Sequence, residues 1–222
     1  MKLLIFDTET TGLPRSKIPA NIEPNNWPHI VSISWIILDS DTNQIEKQKS
    51  YIVKPAGWTI PEDSIKIHGI TQDQALAKGI ELSKVIGEFL AEQSDVLVAH
   101  NLEFDINVLY NAIQWDLELP FKKLNKKMIC SMELSRSICN IKSLFGKPKA
   151  PKLSELYEHV FKRTPNKESL HNSMYDVLIL TEIIQHCDEL RLKMNLPVKT
   201  PINITKNDNQ KNDPRILSIR LD

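Results

Sequence analysis

Residues 3–12 read Leu3-Leu4-Ile5-Phe6-Asp7-Thr8-Glu9-Thr10-Thr11-Gly12, a short apolar run that ends abruptly in two acids. Four consecutive apolar residues suit a strand covered on both faces. Asp7 and Glu9 follow it directly. If the extended geometry persists, side chains two apart point to the same face. The two carboxylates then converge at the carboxyl end of a buried strand, a favoured place for ligands in α/β sheets.

The elements on either side fit that reading. Pro14, Pro19, Pro24 and Pro28 punctuate residues 10–29, which read as a long surface loop. Residues 30–38 begin with alternation and are rich in β-branched side chains, so they predict a second strand. A turn at 39–43 and weak alternation over 46–53 return the chain as the third strand of a meander. Thr71 to Gln74 has the spacing of a capping box. Leu82, Val85, Ile86, Phe89 and Leu90 form the stripe of an amphipathic helix over 82–93. Residues 95–100 predict a buried strand, 103–115 a helix, 128–130 a last strand, and 132–138, 153–161 and 175–192 further helices. Three strands in succession, then strands alternating with helices, make a mixed α/β sheet.

Composition narrows the function classes. The chain has 222 residues, 41% apolar and 25% charged, with 28 basic and 28 acidic side chains and a formal net charge of zero. That excludes global disorder and a protein that holds nucleic acid by bulk charge alone. No apolar run approaches the ~20 residues that cross a bilayer, so no membrane role is expected. Cys130, Cys139 and Cys187 are too few and scattered for a disulfide framework or a zinc knuckle. The N-terminal apolar stretch is too short for a signal peptide. A reduced, cytoplasmic protein is expected. The composition changes at Pro197, beyond which the chain is rich in Asn, Lys, Asp and Pro. This divides it into a domain over 1–194 and a flexible tail over 195–222.

Two further acids stand where helices call for apolar residues. Asp105 shares a stripe with Val108, Leu109 and Ala112, and Asp176 shares one with Leu180, Ile183, Cys187 and Leu190. An unpaired buried carboxylate costs several kcal/mol. Taken singly, each acid is explained by a helix cap or a buried ion pair. Four together, with no basic residue placed to pair with them all, point to hard divalent cations such as Mg²⁺ or Mn²⁺. Two such ions close together are the device for in-line attack on a phosphodiester. His171 precedes Asp176 by five residues, and an imidazole there can take a proton from water near neutrality.

The residues also carry a family resemblance. Asp7-Thr8-Glu9-Thr10-Thr11-Gly12-Leu13 resembles the first motif of the DEDDh 3′–5′ exonucleases, most of all the proofreading epsilon-subunit group of bacterial replicative polymerases. His100-Asn101-Leu102-Glu103-Phe104-Asp105 is similar to the second motif, and His171-Asn172-Ser173-Met174-Tyr175-Asp176 to the third. Ile67-His68-Gly69-Ile70-Thr71 resembles a further segment of that family. The resemblance implies an RNase H-like mixed five-stranded sheet flanked by helices. It also implies two-metal hydrolysis of terminal phosphodiester bonds, releasing nucleoside 5′-monophosphates from single-stranded or frayed 3′ ends in proofreading or repair. Asp7, Glu9, Asp105 and Asp176 would hold the metals and His171 would be the general base. Thr8, Thr10, Thr11 and Leu13 would line the pocket for the last nucleotide, with His68 near it. The chain departs from the pattern in the long loop between Pro14 and Pro28, in the extra acid Glu103, and in Tyr175 beside the last Asp.

Two lysine clusters, Lys122/Lys123/Lys126/Lys127 and Lys142/Lys147/Lys149/Lys152, read either as a phosphate path or as a solvated surface. Trp27, Trp35, Trp58 and Trp115 read as packing residues. The alternating Leu217, Ile219 and Leu221 make the tail a candidate contact for a polymerase or other replication or repair protein. Rival functions are an exoribonuclease built on the same residues and a catalytically silent nucleic-acid-binding subunit.

Overall fold

The computed structural model describes residues 1–143, 146, 148–166 and 171–198. The predicted tail, apart from its first four residues, lies outside the described residues. β1 (Lys2–Thr10) is the central strand. Leu3, Leu4, Ile5 and Phe6 are all fully buried, as an apolar run covered on both faces requires. β1 pairs antiparallel with β2 (Ile30–Asp39), which pairs antiparallel with β3 (Gln44–Ile52). On its other side it pairs parallel with β4 (Val96–Ala99), which pairs parallel with β5 (Lys127–Cys130). The order β3-β2-β1-β4-β5 is the mixed five-stranded sheet that the sequence predicts.

The helices are α1 (Glu62–His68), α2 (Gln72–Lys78), α3 (Leu82–Ala91), α4 (Leu102–Asn111), α5 (Ser131–Cys139), α6 (Leu153–Phe161), α7 (Ser173–His186) and α8 (Asp188–Lys193). They cover both faces. Leu4 and Phe6 pack with Val85, Phe89 and Leu109 on one side, where the Phe6 and Phe89 rings meet edge to face at 5.2 Å. Leu3 and Ile5 pack with Leu156, Leu180, Ile183 and Leu190 on the other. Met194 and Leu196 belong to this second core, so packed side chains continue just past the predicted domain boundary. Among the described residues no helix is long and apolar enough to cross a membrane.

Four local features differ from the sequence reading. β1 continues through Asp7 and Glu9 because β2 keeps pairing with it there, Asp7 opposite Ser34 and Glu9 opposite Ser32. α1 is too short to show a stripe. Its signals are the acids Glu62 and Asp63 in its first turn and Gly69 at its end, where φ is 75° and the N–H bonds back to the Ile65 carbonyl. The predicted 103–115 helix gives way after Asn111 to a π-turn over Ala112–Asp116, closed by the Leu117 N–H on the Ala112 carbonyl at 3.0 Å. The predicted 175–192 helix breaks at Cys187, and Asp188 and Glu189 begin a new one.

The break at Cys187 lets α8 deliver Arg191 into the fold, 3% exposed. Its guanidinium donates to the carbonyls of Ser40 (2.7 Å), Pro197 (2.6 Å) and Ile184 (3.2 Å) and to Asn43 Oδ1 (3.0 Å). It ties α8 to the β2–β3 turn through carbonyl and amide acceptors, with no carboxylate hydrogen-bonded to it among the described residues. Arg191→Met keeps much of the volume but strands those acceptors. It is expected to lower stability by about 2–4 kcal/mol in urea unfolding.

Candidate active site

The site forms where β1 outruns its parallel neighbour. β4 pairs with β1 only from Leu3 to Ile5, so beyond Ile5 that edge of β1 has no strand beside it among the described residues. The Thr8 N–H, a ladder donor without a strand partner, donates instead to Asp105 Oδ1 at 3.1 Å, and the Thr8 hydroxyl donates to the same oxygen at 2.7 Å. α4 thus takes over where β4 ends, and Asp105 in its first turn is 2% exposed. α7 approaches from the other face. Asn172 caps it by accepting the Tyr175 N–H at 3.2 Å, and Asp176 lies in its first turn. Both helices therefore turn their partly positive N-terminal ends toward the acids of β1.

A buried hydroxyl cluster sets the height of α7. Ser173 Oγ lies 3.1 Å from Ser32 Oγ and 2.7 Å from Ser34 Oγ, and Ser34 donates on to Ser50 at 2.9 Å. Ser32 and Ser34 are the register partners of Glu9 and Asp7. The contacts that seat α7 are thus one residue pair away from the acids it faces.

One carboxylate oxygen each from Asp7, Glu9 and Asp176 lies within 4.8 Å of the others. Asp105 lies outside this group, with Oδ1 accepting from Thr8, but its charge is felt by Asp7. Burial and then the neighbouring acids push the Asp7 carboxyl well above its usual range. Burial and Asp176 push Glu9 up to about 9. Burial raises Asp105 to about 7 against the two Thr8 hydrogen bonds, and Asp176 to about 6 against the His171 backbone N–H. Asp176 Oδ1 is buried with no hydrogen-bond partner among the described residues. None of the ion pairs among the described residues involves these four acids. An all-oxygen donor set, crowded and short of positive charge, fits hard divalent cations.

The other predicted residues divide. His171 is exposed and sits on left-handed backbone (φ 64°), with its N–H toward Asp176. Thr8, Thr10, Leu13 and His68 line a cavity of about 240 Å³ beside Glu9, together with Phe104 and Ile67. Leu13 is 82% exposed at its mouth. Thr10 also donates to the Gly12 carbonyl at 2.7 Å, a turn contact. Thr11 lies outside the cavity and pairs with the His29 backbone. His68 Nδ1 accepts the Ile70 N–H at 3.1 Å, which leaves the proton on the buried Nε2, on the side of the Thr10 backbone. Glu103 is exposed and outside the acid group.

His100, the first residue of the second motif, acts in holding the backbone together. Nε2 lies 3.0 Å from the Pro151 carbonyl, which can only accept, so Nδ1 accepts from Ser131 Oγ at 3.0 Å. Burial holds its pKa at about 4, so the neutral ring ties the end of β4 to the segment before α6.

The description Exonuclease, RNase_T, matches this chain over residues 4–184. The chain belongs to that exonuclease family. A curated relative, DNA polymerase III subunit epsilon of Buchnera aphidicola subsp. Acyrthosiphon pisum (strain APS), is 29% identical over 133 residues. The match covers 59% of this chain and 51% of the relative, so it spans about half the relative's length. Exonuclease X, solved in complex with 5′ overhanging duplex DNA, shares the fold at TM-score 0.59 and 24% identity, covering 88% of this chain and 94% of that one. E. coli Exonuclease I, solved with a dT13 oligonucleotide, shares it at TM-score 0.65 and 19% identity, covering 87% and 42%. The RNase H-like sheet that the motifs implied is therefore the fold of this chain, and members of such a family depend on divalent metal.

The raised carboxyls have a consequence for metal-free stability. Each binds more protons folded than unfolded. The stabilisation is full below the unfolded pKa and is lost as pH rises through the folded value. In EDTA, thermal stability is expected to fall steadily from about pH 5 to about pH 9. Asp176→Asn removes one crowded charge. At about pH 8 it is expected to raise the metal-free Tm by roughly 2–4 °C, the shift that about 1 kcal/mol produces at this size.

Proposed function

We propose that this protein is a 3′–5′ exonuclease that removes nucleotides from single-stranded or frayed DNA ends as 5′-monophosphates. The observation that carries the proposal is the convergence of Asp7, Glu9 and Asp176 at the free end of β1. These three residues, with Asp105 beside them, would hold two divalent cations, Mg²⁺ or Mn²⁺. When bound, the cations supply charge neutralisation and polarisation at the phosphate under attack.

The chain's own residues do the rest. The cavity lined by Thr8, Thr10, Leu13 and His68 seats the terminal nucleotide, with Glu9 at its wall. The space of about 240 Å³ is where a single splayed terminal nucleotide would sit. His171 takes a proton from the water that attacks the terminal phosphorus. The bond from that phosphorus to the 3′-oxygen of the preceding nucleotide breaks, and the departing oxygen gains a proton from solvent. The products are a nucleoside 5′-monophosphate and a strand shorter by one, with a new 3′-hydroxyl. The exposed position of His171 suits a base that must exchange its proton with solvent at each turnover.

DNA is favoured over RNA because Exonuclease X and Exonuclease I were solved with DNA. The subunit name of the Buchnera relative extends the proposal to a polymerase partner, contacted through residues 195–222, with residues 1–194 as the catalytic unit. Cys130, Cys139 and Cys187 are free thiols, in keeping with a reducing, cytoplasmic setting.

The test is hydrolysis of 5′-labelled single-stranded DNA and RNA of matched sequence with Mg²⁺ or Mn²⁺. A ladder shortening from the 3′ end, faster on DNA and abolished by EDTA, is expected. Asp7→Asn should remove activity, and His171→Ala should lower kcat about 10²–10⁴-fold. Unchanged ladders in both variants would overturn the assignment.

A further inference from the structure

A second cavity, of about 330 Å³, is used by none of these steps. Asn25 and His29 line it from the long loop, Lys54 and Trp58 from the β3–α1 link, and Trp115 and Asp116 from the π-turn after α4. Its aromatic rings are held in place yet not buried. The His29 and Trp58 rings stack with centroids 5.1 Å apart and planes 4° from parallel. His29 Nδ1 lies 2.9 Å from Asp116 Oδ1, and the His29 N–H donates to Thr11 Oγ1 at 3.0 Å. Trp115 Nε1 donates to the Ala20 carbonyl at 2.7 Å. Trp27 and Trp35 are buried in the core. Trp58 packs one side against the core and, like Trp115, stays half-buried with the rest of its ring on an open volume.

The backbone departs from regular helix to form this wall. π-turns are rare and occur often at functional sites. Asp116 Oδ2 is buried with no partner among the described residues, so one acceptor of the wall is unsatisfied. Lys54, the one lysine of the lining, is already paired with Glu81 at 3.3 Å. A wall of flat rings and an unsatisfied acceptor, with its lysine engaged, suits a planar, uncharged ring with N–H donors, not a phosphate. A nucleobase meets that description.

Its place in the fold gives it a strand to read. Trp58 lies in the link before α1, and His68, which lines the terminal-nucleotide cavity, ends α1. Thr11 pairs with the His29 backbone, and its neighbours Thr10 and Gly12 line the terminal-nucleotide cavity, so one backbone pairing joins the walls of the two cavities. We propose that this cavity is a second base-binding subsite, which stacks a nucleobase upstream of the 3′ end against Trp58 and His29. The proposal rests on reading the acidic site as an exonuclease centre.

Two measurements on the full chain test it. The first is the Kd of a labelled single-stranded dodecathymidylate in EDTA, which needs no turnover. Trp58→Ala is expected to raise it roughly tenfold and Trp58→Phe much less, since stacking tolerates any aromatic ring. Ser83→Trp, which places a ring at the cavity mouth from an exposed position of α3, is expected to raise it similarly. This variant also carries the test if Trp58→Ala does not fold. The second is the ratio of kcat/KM on the dodecamer to that on a dinucleotide, which should fall by a similar factor in both variants. A dodecamer Kd equal to wild type in Trp58→Ala and Ser83→Trp, or an unaltered ratio, would overturn the subsite. Wild-type protein that binds the dodecamer but cleaves nothing would overturn the exonuclease reading instead, and the Kd comparison would still decide the subsite.

Discussion

Repulsion among carboxylates is the constraint around which this fold is arranged. Asp7, Glu9 and Asp176 are held within 4.8 Å, with Asp105 close enough to raise the Asp7 pKa. Crowding of this kind opposes folding by several kcal/mol in the absence of a counterion. The scaffold answers with rigidity. β1 is pinned along its length by β2, α7 is seated by Ser32, Ser34 and Ser173, and α4 is fixed by the two Thr8 hydrogen bonds to Asp105. Large apolar cores on both faces of β1 offset the cost. The two helix N-termini reduce it further but do not cancel it, since all four carboxyls stay above their usual range.

Neutral net charge takes on a specific meaning in this arrangement. The acids of the site have no basic partners among the described residues, whereas several lysines do have acceptors. Lys126 donates to the Glu92 carbonyl and to Ser94 Oγ, both at 2.8 Å, and Lys149 pairs with Glu155 at 2.7 Å. Those two members of the sequence clusters are tied into the structure, while Lys122, Lys123 and Lys127 are exposed. The missing positive charge at the site is therefore local. Cations fill it more readily than a lysine, because small hard ions fit among oxygen ligands where a long side chain does not.

Much of the site was legible in the sequence because a carboxylate on an apolar stripe is a local anomaly. Asp105 and Asp176 break helical periodicity, and Asp7 and Glu9 end an apolar strand, so their convergence follows once the sheet is assumed. What was not legible depends on contacts between distant segments. The π-turn at Ala112–Asp116 joins Trp115 to Ala20 and Asp116 to His29, both supplied by the long loop. No periodicity in residues 103–115 marks it. Trp58 and Trp115 read as packing residues singly and frame a cavity only once folded together. The break at Cys187 did leave a sign, the acids Asp188 and Glu189 at a new N-terminus, but the continuing apolar stripe outweighed it.

The central claim is that the acid cluster is a divalent-cation site whose carboxyls hold protons until metal displaces them. Calorimetric titration of the protein with Mn²⁺ near neutral pH, in buffers of different ionisation enthalpy, measures this directly by counting protons released per ion bound. The account predicts saturable binding with net proton release, diminishing as pH is raised toward the Glu9 value of about 9. Binding without proton release, or no binding to the folded protein, would contradict it.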